Sequence, residues 1–229
     1  MSNKSRIANL LDRMMFLDIA RAVAVPLGKR KDWLRNFIKP KNIPQNYKAF
    51  RRSLRRIYRV PLGLDNSPAP TRQEIEKAIS ADSNDINLDN NLEVALALFD
   101  YLATQEFLSF EHDQKQLRIG PHRKISFDLD FYIARGGTAV FQYPYPRATR
   151  LTHPQIRIML HLIREVYCID DFEHADVELV ELSRATGTKG RQSLCYSISD
   201  FEPFEVGELV REIQTVHNLL LEIDAEQGT

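Results

Sequence analysis

Five arginines and one lysine lie within twelve residues of this chain, between positions 48 and 59. An arginine guanidinium is planar, keeps its charge and donates two hydrogen bonds at once, so it suits phosphate groups. A cluster of this density would release many counterions on binding a polyanion. We therefore predict that a nucleic-acid backbone is contacted by this cluster and by three basic residues before it, namely Lys29, Arg30, Lys31, Lys48, Arg51, Arg52, Arg55, Arg56 and Arg59.

Helical spacing separates the charges of residues 45–59 from the apolar side chains of the same segment. At about 100° per residue, one face carries apolar side chains and the opposite face carries basic ones. We therefore predict a helix that packs one side on a core and keeps a positive side in water. Two other interpretations stay open, a face that is merely solvated and a face docked on acidic protein. An anionic membrane surface fits less well, because the apolar side lacks bulk.

The charges of the whole chain are divided between two parts. Residues 1–60 carry 16 Lys and Arg against 3 Asp and Glu, whereas residues 61–229 carry 15 against 28. The local net charges of +13 and −13 cancel, which gives a formal net charge of +0. Such asymmetry indicates a partner for the basic part, and DNA is the partner we expect first. The alternative is an assembly module, whose basic part docks on an acidic surface of its own chain or of a second copy.

Two carboxylates, Asp128 and Asp130, fall on one face of a predicted strand, and a later strand carries Glu178 and Glu181. Two-metal nucleases bind Mg²⁺ through acidic residues on strands. A metal-dependent nuclease is therefore a lesser alternative, because the same alternation is typical of an amphipathic strand whose polar side faces water. We assign no catalytic residue, no metal ligand and no cofactor, and an enzyme is the less favoured class.

The histidines and cysteines do not form a recognisable site in the sequence. His161 and Glu165 are four residues apart, but a zinc site would need a third ligand close by. Cys168 and Cys195 form neither a CxxC pair nor a disulfide framework, which is typical of the reducing cytoplasm. No apolar stretch approaches the roughly 20 residues of a membrane span. We expect a cytoplasmic protein without a membrane partner.

Three segments must position these residues. Residues 1–64 are predicted to form a basic helical region, with helices at 7–24, 32–38 and 45–59. Residues 65–122 begin with a proline-containing linker and continue with helices at 71–80 and 92–104 and strands at 107–110 and 116–119. Two helices followed directly by a hairpin resemble the end of a winged-helix domain. The helix at 92–104 has no Lys or Arg, so we expect it to pack against protein.

Residues 123–229 are predicted to form an α+β domain of order ββαββα, with helices on an antiparallel sheet. Period-two alternation marks a strand at 125–133, and Gly136-Gly137 marks a hairpin turn to a strand at 138–143. A helix at 152–168, strands at 175–182 and 191–199 and a helix at 204–223 complete the order. This acidic domain is expected to mediate homo-oligomerisation or contact with a protein partner. The whole pattern favours a non-enzymatic DNA-binding protein, either a transcriptional regulator or a subunit of a DNA-processing complex.

Overall fold

A computed structural model describes residues 16–39, 47–60, 69–119, 123–184, 190–205 and 207–227 of the chain. Three predicted features lie wholly or mostly outside these residues, namely the first turns of the first helix, most of the linker at 65–70 and the tip of the hairpin at 185–190. None of the described helices is long and apolar enough to cross a bilayer.

The described residues form seven α-helices: α1 Phe16–Val23, α2 Leu27–Phe37, α3 Lys48–Ile57, α4 Arg72–Asp82, α5 Asp85–Leu102, α6 His153–Tyr167 and α7 Glu208–Gln227. Within the described residues each predicted helix has a counterpart, but α2 begins five residues and α5 seven residues earlier than expected. Its N-cap is Asn84, whose side chain accepts a hydrogen bond from the backbone of Asn87. The buried Asn91 accepts a hydrogen bond from the backbone of Phe50 at 2.9 Å, which satisfies a free N–H in the first turn of α3. Polar residues that a sequence pattern assigns to a loop therefore face inward here.

Seven strands are described: β1 Leu108–Glu111, β2 Gln116–Ile119, β3 Arg123–Ser126, β4 Phe131–Arg135, β5 Thr138–Tyr145, β6 Asp176–Glu181 and β7 Leu194–Ser197. Five of them form one sheet in the order β1-β4-β5-β6-β7, and β2 pairs with β3 separately. The α+β class is confirmed. Helix α3 lies against one face of the five-stranded sheet through Tyr58, and α6 packs on the opposite face through Tyr167.

The predicted antiparallel sheet is a mixed one. Strands β5 and β6 run parallel, with Phe141 opposite Val177, whereas the other pairs of this sheet are antiparallel. Helix α6 lies between β5 and β6 in the chain and returns it to the same end of the sheet, which is how a parallel pair is connected. The turn at Gly136 and Gly137 is confirmed, since both residues have positive φ, 59° and 84°.

The winged-helix arrangement is not confirmed. Strand β1 pairs with β4 and not with β2, so the two strands after α5 belong to different sheets. The ring of Phe110 on β1 stacks on that of Tyr132 on β4, with 5.3 Å between centroids. Such cross-strand aromatic pairs stabilise a sheet. The predicted strand at 125–133 is likewise divided between β3 and β4.

One continuous cluster of buried side chains joins the basic helices to the sheet. Phe16 on α1 stacks on Phe127 at 4.9 Å, and Tyr58 at the end of α3 lies 4.6 Å from Phe131 on β4. Burying large aromatic side chains is a main source of folding free energy. The basic N-terminal helices are therefore packed on the acidic part of the chain.

Arg59, two residues after the last residue of α3, adopts a left-handed conformation with φ of 57°. A side chain in this conformation costs about 1 kcal/mol relative to glycine. We expect Arg59→Gly to raise the free energy of unfolding by about 1 kcal/mol over Arg59→Ala, measured by urea denaturation. The comparison with alanine cancels the loss of the arginine side chain. Equal stabilities of the two variants would contradict the expectation.

Candidate functional site

The predicted basic face of α3 lies against carboxylates of the same chain. Each of three arginines pairs with one or two of them: Arg51 with Asp128 at 3.3 Å, Arg52 with Asp82 at 3.6 Å, and Arg55 with Asp130 at 3.2 Å and with Glu111. All four acidic partners come from the part of the chain with the net charge of −13. The opposite charges of the two parts therefore meet within one molecule.

The same pairing occurs between α2 and α7. The Lys31 ammonium is 2.7 Å from Glu222 and 2.9 Å from Glu226, and Arg35 is 2.8 Å from Glu226. Hydrogen bonds to Glu222 and Glu226 raise the pKa of Lys31, and those from Arg35 and Lys31 lower the pKa of Glu226. Exposed pairs of this kind add little stability. These ion pairs nevertheless engage basic side chains that a polyanion would otherwise contact.

Arg30 cannot reach a phosphate, because its side chain is buried. It donates hydrogen bonds to the carbonyl oxygens of Val23 and Val25 at 2.9 and 3.2 Å, and it pairs with Glu212 at 2.7 Å. Basic side chains commonly satisfy the free carbonyls at the end of a helix in this way. Arg30 therefore joins the end of α1 to α7, which is a structural role.

The other predicted contacts, Lys29, Lys48, Arg56 and Arg59, are exposed. The Arg59 guanidinium lies 5.8 Å from the ring centroid of Phe107, just before strand β1. A cation over an aromatic face at this distance is weakly attracted to it. The structure thus distributes the nine predicted residues among buried, paired and exposed positions.

The carboxylates considered for a nuclease do not come together. Asp128 and Asp130 face Arg51 and Arg55, while Glu178 and Glu181 are buried on opposite faces of β6. Among the described residues, no three His, Cys, Asp or Glu side chains are close enough to hold a metal ion. A nuclease is therefore not supported by this geometry.

His161 on α6 and Cys168, the residue just after that helix, are unsuited to nucleophilic chemistry. Burial raises the pKa of the Cys168 thiol to about 11 and lowers the pKa of His161. The Cys168 thiol faces the carbonyl of Ala175 at 3.7 Å. A reactive cysteine needs a lowered pKa, so these side chains are part of the packing.

An exposed apolar surface lies at the edge of the sheet, where β1 has a ladder partner on one side only among the described strands. Leu108 and Phe110 project from the same face of β1 and are 68% and 41% exposed. Phe110 stacks on Tyr132, which in turn contacts Phe172 at 4.9 Å between centroids. We call this the apolar edge surface, and it consists of Leu108, Phe110, Tyr132, Ile169 and Phe172.

A cleft of about 610 Å³ adjoins the apolar edge surface. Three residues of that surface, Tyr132, Ile169 and Phe172, line it together with charged side chains from α3, from the segment after β1 and from the turn after α6. Asp170 in that turn has a φ of 53°, an uncommon conformation for a residue other than glycine. Contiguous exposed apolar side chains next to a polar rim mark protein-binding sites in soluble proteins.

Sequence reasoning missed this surface because it assigned residues 107–110 to a wing. A signal was present, since Leu108 and Phe110 alternate with Ser109 on a short strand. Alternation predicts which residues share a face, but it does not predict which face is covered. Here Ser109 is buried and donates a hydrogen bond to the carbonyl of Tyr58, so the apolar residues point outward.

Comparison with known proteins points to a protein partner. A family model described as "SocB: Sliding clamp-binding bacterial toxin SocB" matches residues 17–228. No curated protein and no solved structure matches the chain. The predictions of a DNA-binding transcriptional regulator, of a DNA-binding subunit of a DNA-processing complex and of a winged helix are therefore wrong. The pairing of Arg51, Arg52 and Arg55 with carboxylates leaves less positive charge for a polyanion, which agrees with a protein partner.

Proposed function

The chain belongs to the SocB family of sliding clamp-binding bacterial toxins, and from this membership we propose that it acts by binding a bacterial sliding clamp through its apolar edge surface. We accordingly propose that it acts in the bacterial cytoplasm, where such a partner would be met. The observation that supports the location of the interface is the exposure of Leu108 and Phe110 on an edge strand.

Two properties of β1 suit it to contact another protein. Its outer edge has no ladder partner among the described strands, so its backbone donors and acceptors can pair with an added segment. Its exposed face carries a leucine and a phenylalanine two residues apart, and aromatic anchors often dominate interface energies. Together they provide both main-chain and side-chain contacts.

The other exposed large apolar side chains of the described residues are scattered. Leu27 and Ile86 lie in the first turns of α2 and α5, and Val210 and Leu221 are eleven residues apart on α7. Single exposed apolar residues are normal on a protein surface. On the apolar edge surface, by contrast, Leu108 and Phe110 lie on one face of β1, Phe110 stacks on Tyr132, and Tyr132 lines the cleft together with Ile169.

Calorimetric titration of the full chain into purified sliding clamp tests the proposal directly. We expect a complex with a Kd in the micromolar range or tighter that persists in 0.5 M NaCl. Apolar contacts survive high salt, whereas contacts between exposed charges are screened within a few Å. Duplex DNA in place of the clamp serves as the control and is expected to give no comparable heat. Failure to form any complex with the clamp would overturn the proposal.

The predicted homo-oligomer stays a prediction, and light scattering in the same experiment measures it. The charge pairs that such an assembly module would use are made within the chain at the positions described above. A dimer that forms without the clamp and dissociates in high salt would support self-assembly through charged residues other than these pairs.

A further inference from the structure

A chain of hydrogen-bonded polar side chains, three of them buried and two half-buried, ends at the residues just before β1. It consists of Tyr58, Gln105, Arg135, Gln142 and Glu178, and we call it the Glu178 cluster. Its members come from the end of α3, from the segment before β1 and from strands β4, β5 and β6. The cluster therefore links the edge of the sheet to its centre.

Glu178 is the acceptor at the middle of the cluster, and it is only 5% exposed. One carboxylate oxygen accepts a hydrogen bond from Nη2 of Arg135, and the other accepts one from Nε2 of Gln142 at 2.6 Å. The Gln142 oxygen accepts from the Tyr58 hydroxyl at 2.8 Å. Charge-assisted hydrogen bonds of this kind are the strongest in proteins, so the guanidinium of Arg135 is held in one orientation.

Arg135 uses its second terminal nitrogen to hold the segment before β1. Its Nη1 donates a hydrogen bond to the Gln105 side-chain oxygen at 3.1 Å. The ladder between β1 and β4 ends at the pair Leu108 and Ala134, so Arg135 lies one residue beyond the last backbone pair. The side chain thus continues the attachment where the backbone ladder stops.

On the side away from Arg135, Gln105 contacts Tyr101 of α5. Burial and the neighbouring Cys195 thiol raise the pKa of Tyr101, whose hydroxyl also interacts with Gln105. The thiol of Cys195 on β7, an exposed residue, faces Tyr101 and Glu178. Gln105 is therefore held between Tyr101 of α5 and Arg135 of β4.

A four-residue edge strand with one neighbour would otherwise fray, because little backbone pairing holds its ends. Fraying would have to be reversed on binding, and that ordering lowers affinity. We propose that Arg135, oriented by Glu178, is a positioning residue that keeps the apolar edge surface in its binding geometry. The inference rests on the proposed function, since it concerns how that surface is prepared for the clamp.

Arg135→Ala tests the inference at a temperature where circular dichroism shows the variant to be folded. We expect its affinity for the clamp to fall about tenfold and hydrogen exchange at the backbone amides of Leu108–Glu111 to accelerate. Arg135→Lys keeps a positive charge beside Glu178, but a lysine ammonium lacks the planar fork that binds Glu178 and Gln105 together. Its affinity and its exchange rate should therefore lie between those of the unmodified chain and of Arg135→Ala. Arg35→Ala removes another partly exposed arginine from an ion pair far along the chain and serves as the matched control.

The outcomes separate positioning from the other roles that Arg135 could have. Lower affinity with unchanged exchange would show a direct contact with the clamp and overturn the inference. A lower unfolding midpoint with unchanged affinity of the folded protein would show a purely structural role and overturn it as well. A wrong assignment of the interface can be told apart from a wrong role for Arg135. In that case, substitutions of Leu108 and Phe110 would also leave the affinity for the clamp unchanged.

Discussion

Changing Leu108 to aspartate and Phe110 to serine together is expected to weaken binding to the sliding clamp at least a hundredfold. Both side chains are exposed in the free chain, so binding can bury most of their apolar surface. Full burial of each contributes about 1.5–3 kcal/mol, and about 2.7 kcal/mol corresponds to a hundredfold change in Kd. The aspartate adds the cost of desolvating a charge in an apolar contact. Calorimetric titration with purified clamp measures the change.

The matched control introduces the same two residues, an aspartate and a serine, on another exposed surface. Val210→Asp combined with Leu221→Ser alters two exposed apolar residues of α7. This variant is expected to bind the clamp as the unmodified chain does. Growth of bacteria that express each variant gives a second measurement, since only the change on β1 should abolish toxicity. Unchanged binding by the β1 variant, with its fold intact, would falsify the assignment of the interface.

Glu178→Ala is expected to lower the free energy of unfolding by about 3 kcal/mol, the largest stability effect we predict for one residue. The change leaves the buried amide of Gln142 without its acceptor and leaves Arg135 without its carboxylate. Removing one member of a buried hydrogen-bonded pair costs the desolvation of the groups left behind. Arg135 is about one third exposed and can turn to water, which keeps the loss at the lower end of the range for such pairs.

Urea denaturation at neutral pH measures this loss, with two further variants for comparison. Glu178→Gln keeps an acceptor oxygen and should lose less stability than the alanine variant. Glu226→Ala removes a carboxylate from an exposed ion-pair network on α7 and should leave the unfolding midpoint nearly unchanged. A midpoint for Glu178→Ala equal to that of Glu226→Ala would show that the Glu178 cluster does not stabilise the fold.

Local sequence signals predicted most of the secondary structure. Thr71, the first residue of the helix predicted at 71–80, is the N-cap of α4: its hydroxyl accepts a hydrogen bond from the backbone N–H of Glu74, and the Glu74 carboxylate accepts one from the backbone N–H of Thr71. The glycines at 136 and 137 fall at the predicted turn. These features depend on neighbours within four residues, so the chain carries them wherever it folds.

Pairing between strands could not be predicted in the same way. The alternation of residues 107–110 is compatible with a hairpin to 116–119 and with the observed pairing to β4. The choice depends on Phe110 meeting Tyr132 and on Ser109 reaching the carbonyl of Tyr58, about fifty residues earlier. Such contacts between distant residues are not encoded in any short pattern.

By itself, the sequence determined the helices, most strands, the α+β class and the division of charge into parts of +13 and −13. It also permitted two interpretations of that division, a basic surface for nucleic acid and a basic part docked on acidic protein. Only the tertiary structure showed that Arg51, Arg52 and Arg55 pair with carboxylates of the same chain, because charge pairing depends on distance in space. Packing α3 on the sheet brings Arg51 and Arg55 to Asp128 and Asp130, and it leaves the apolar face of β1 as the surface open to a partner.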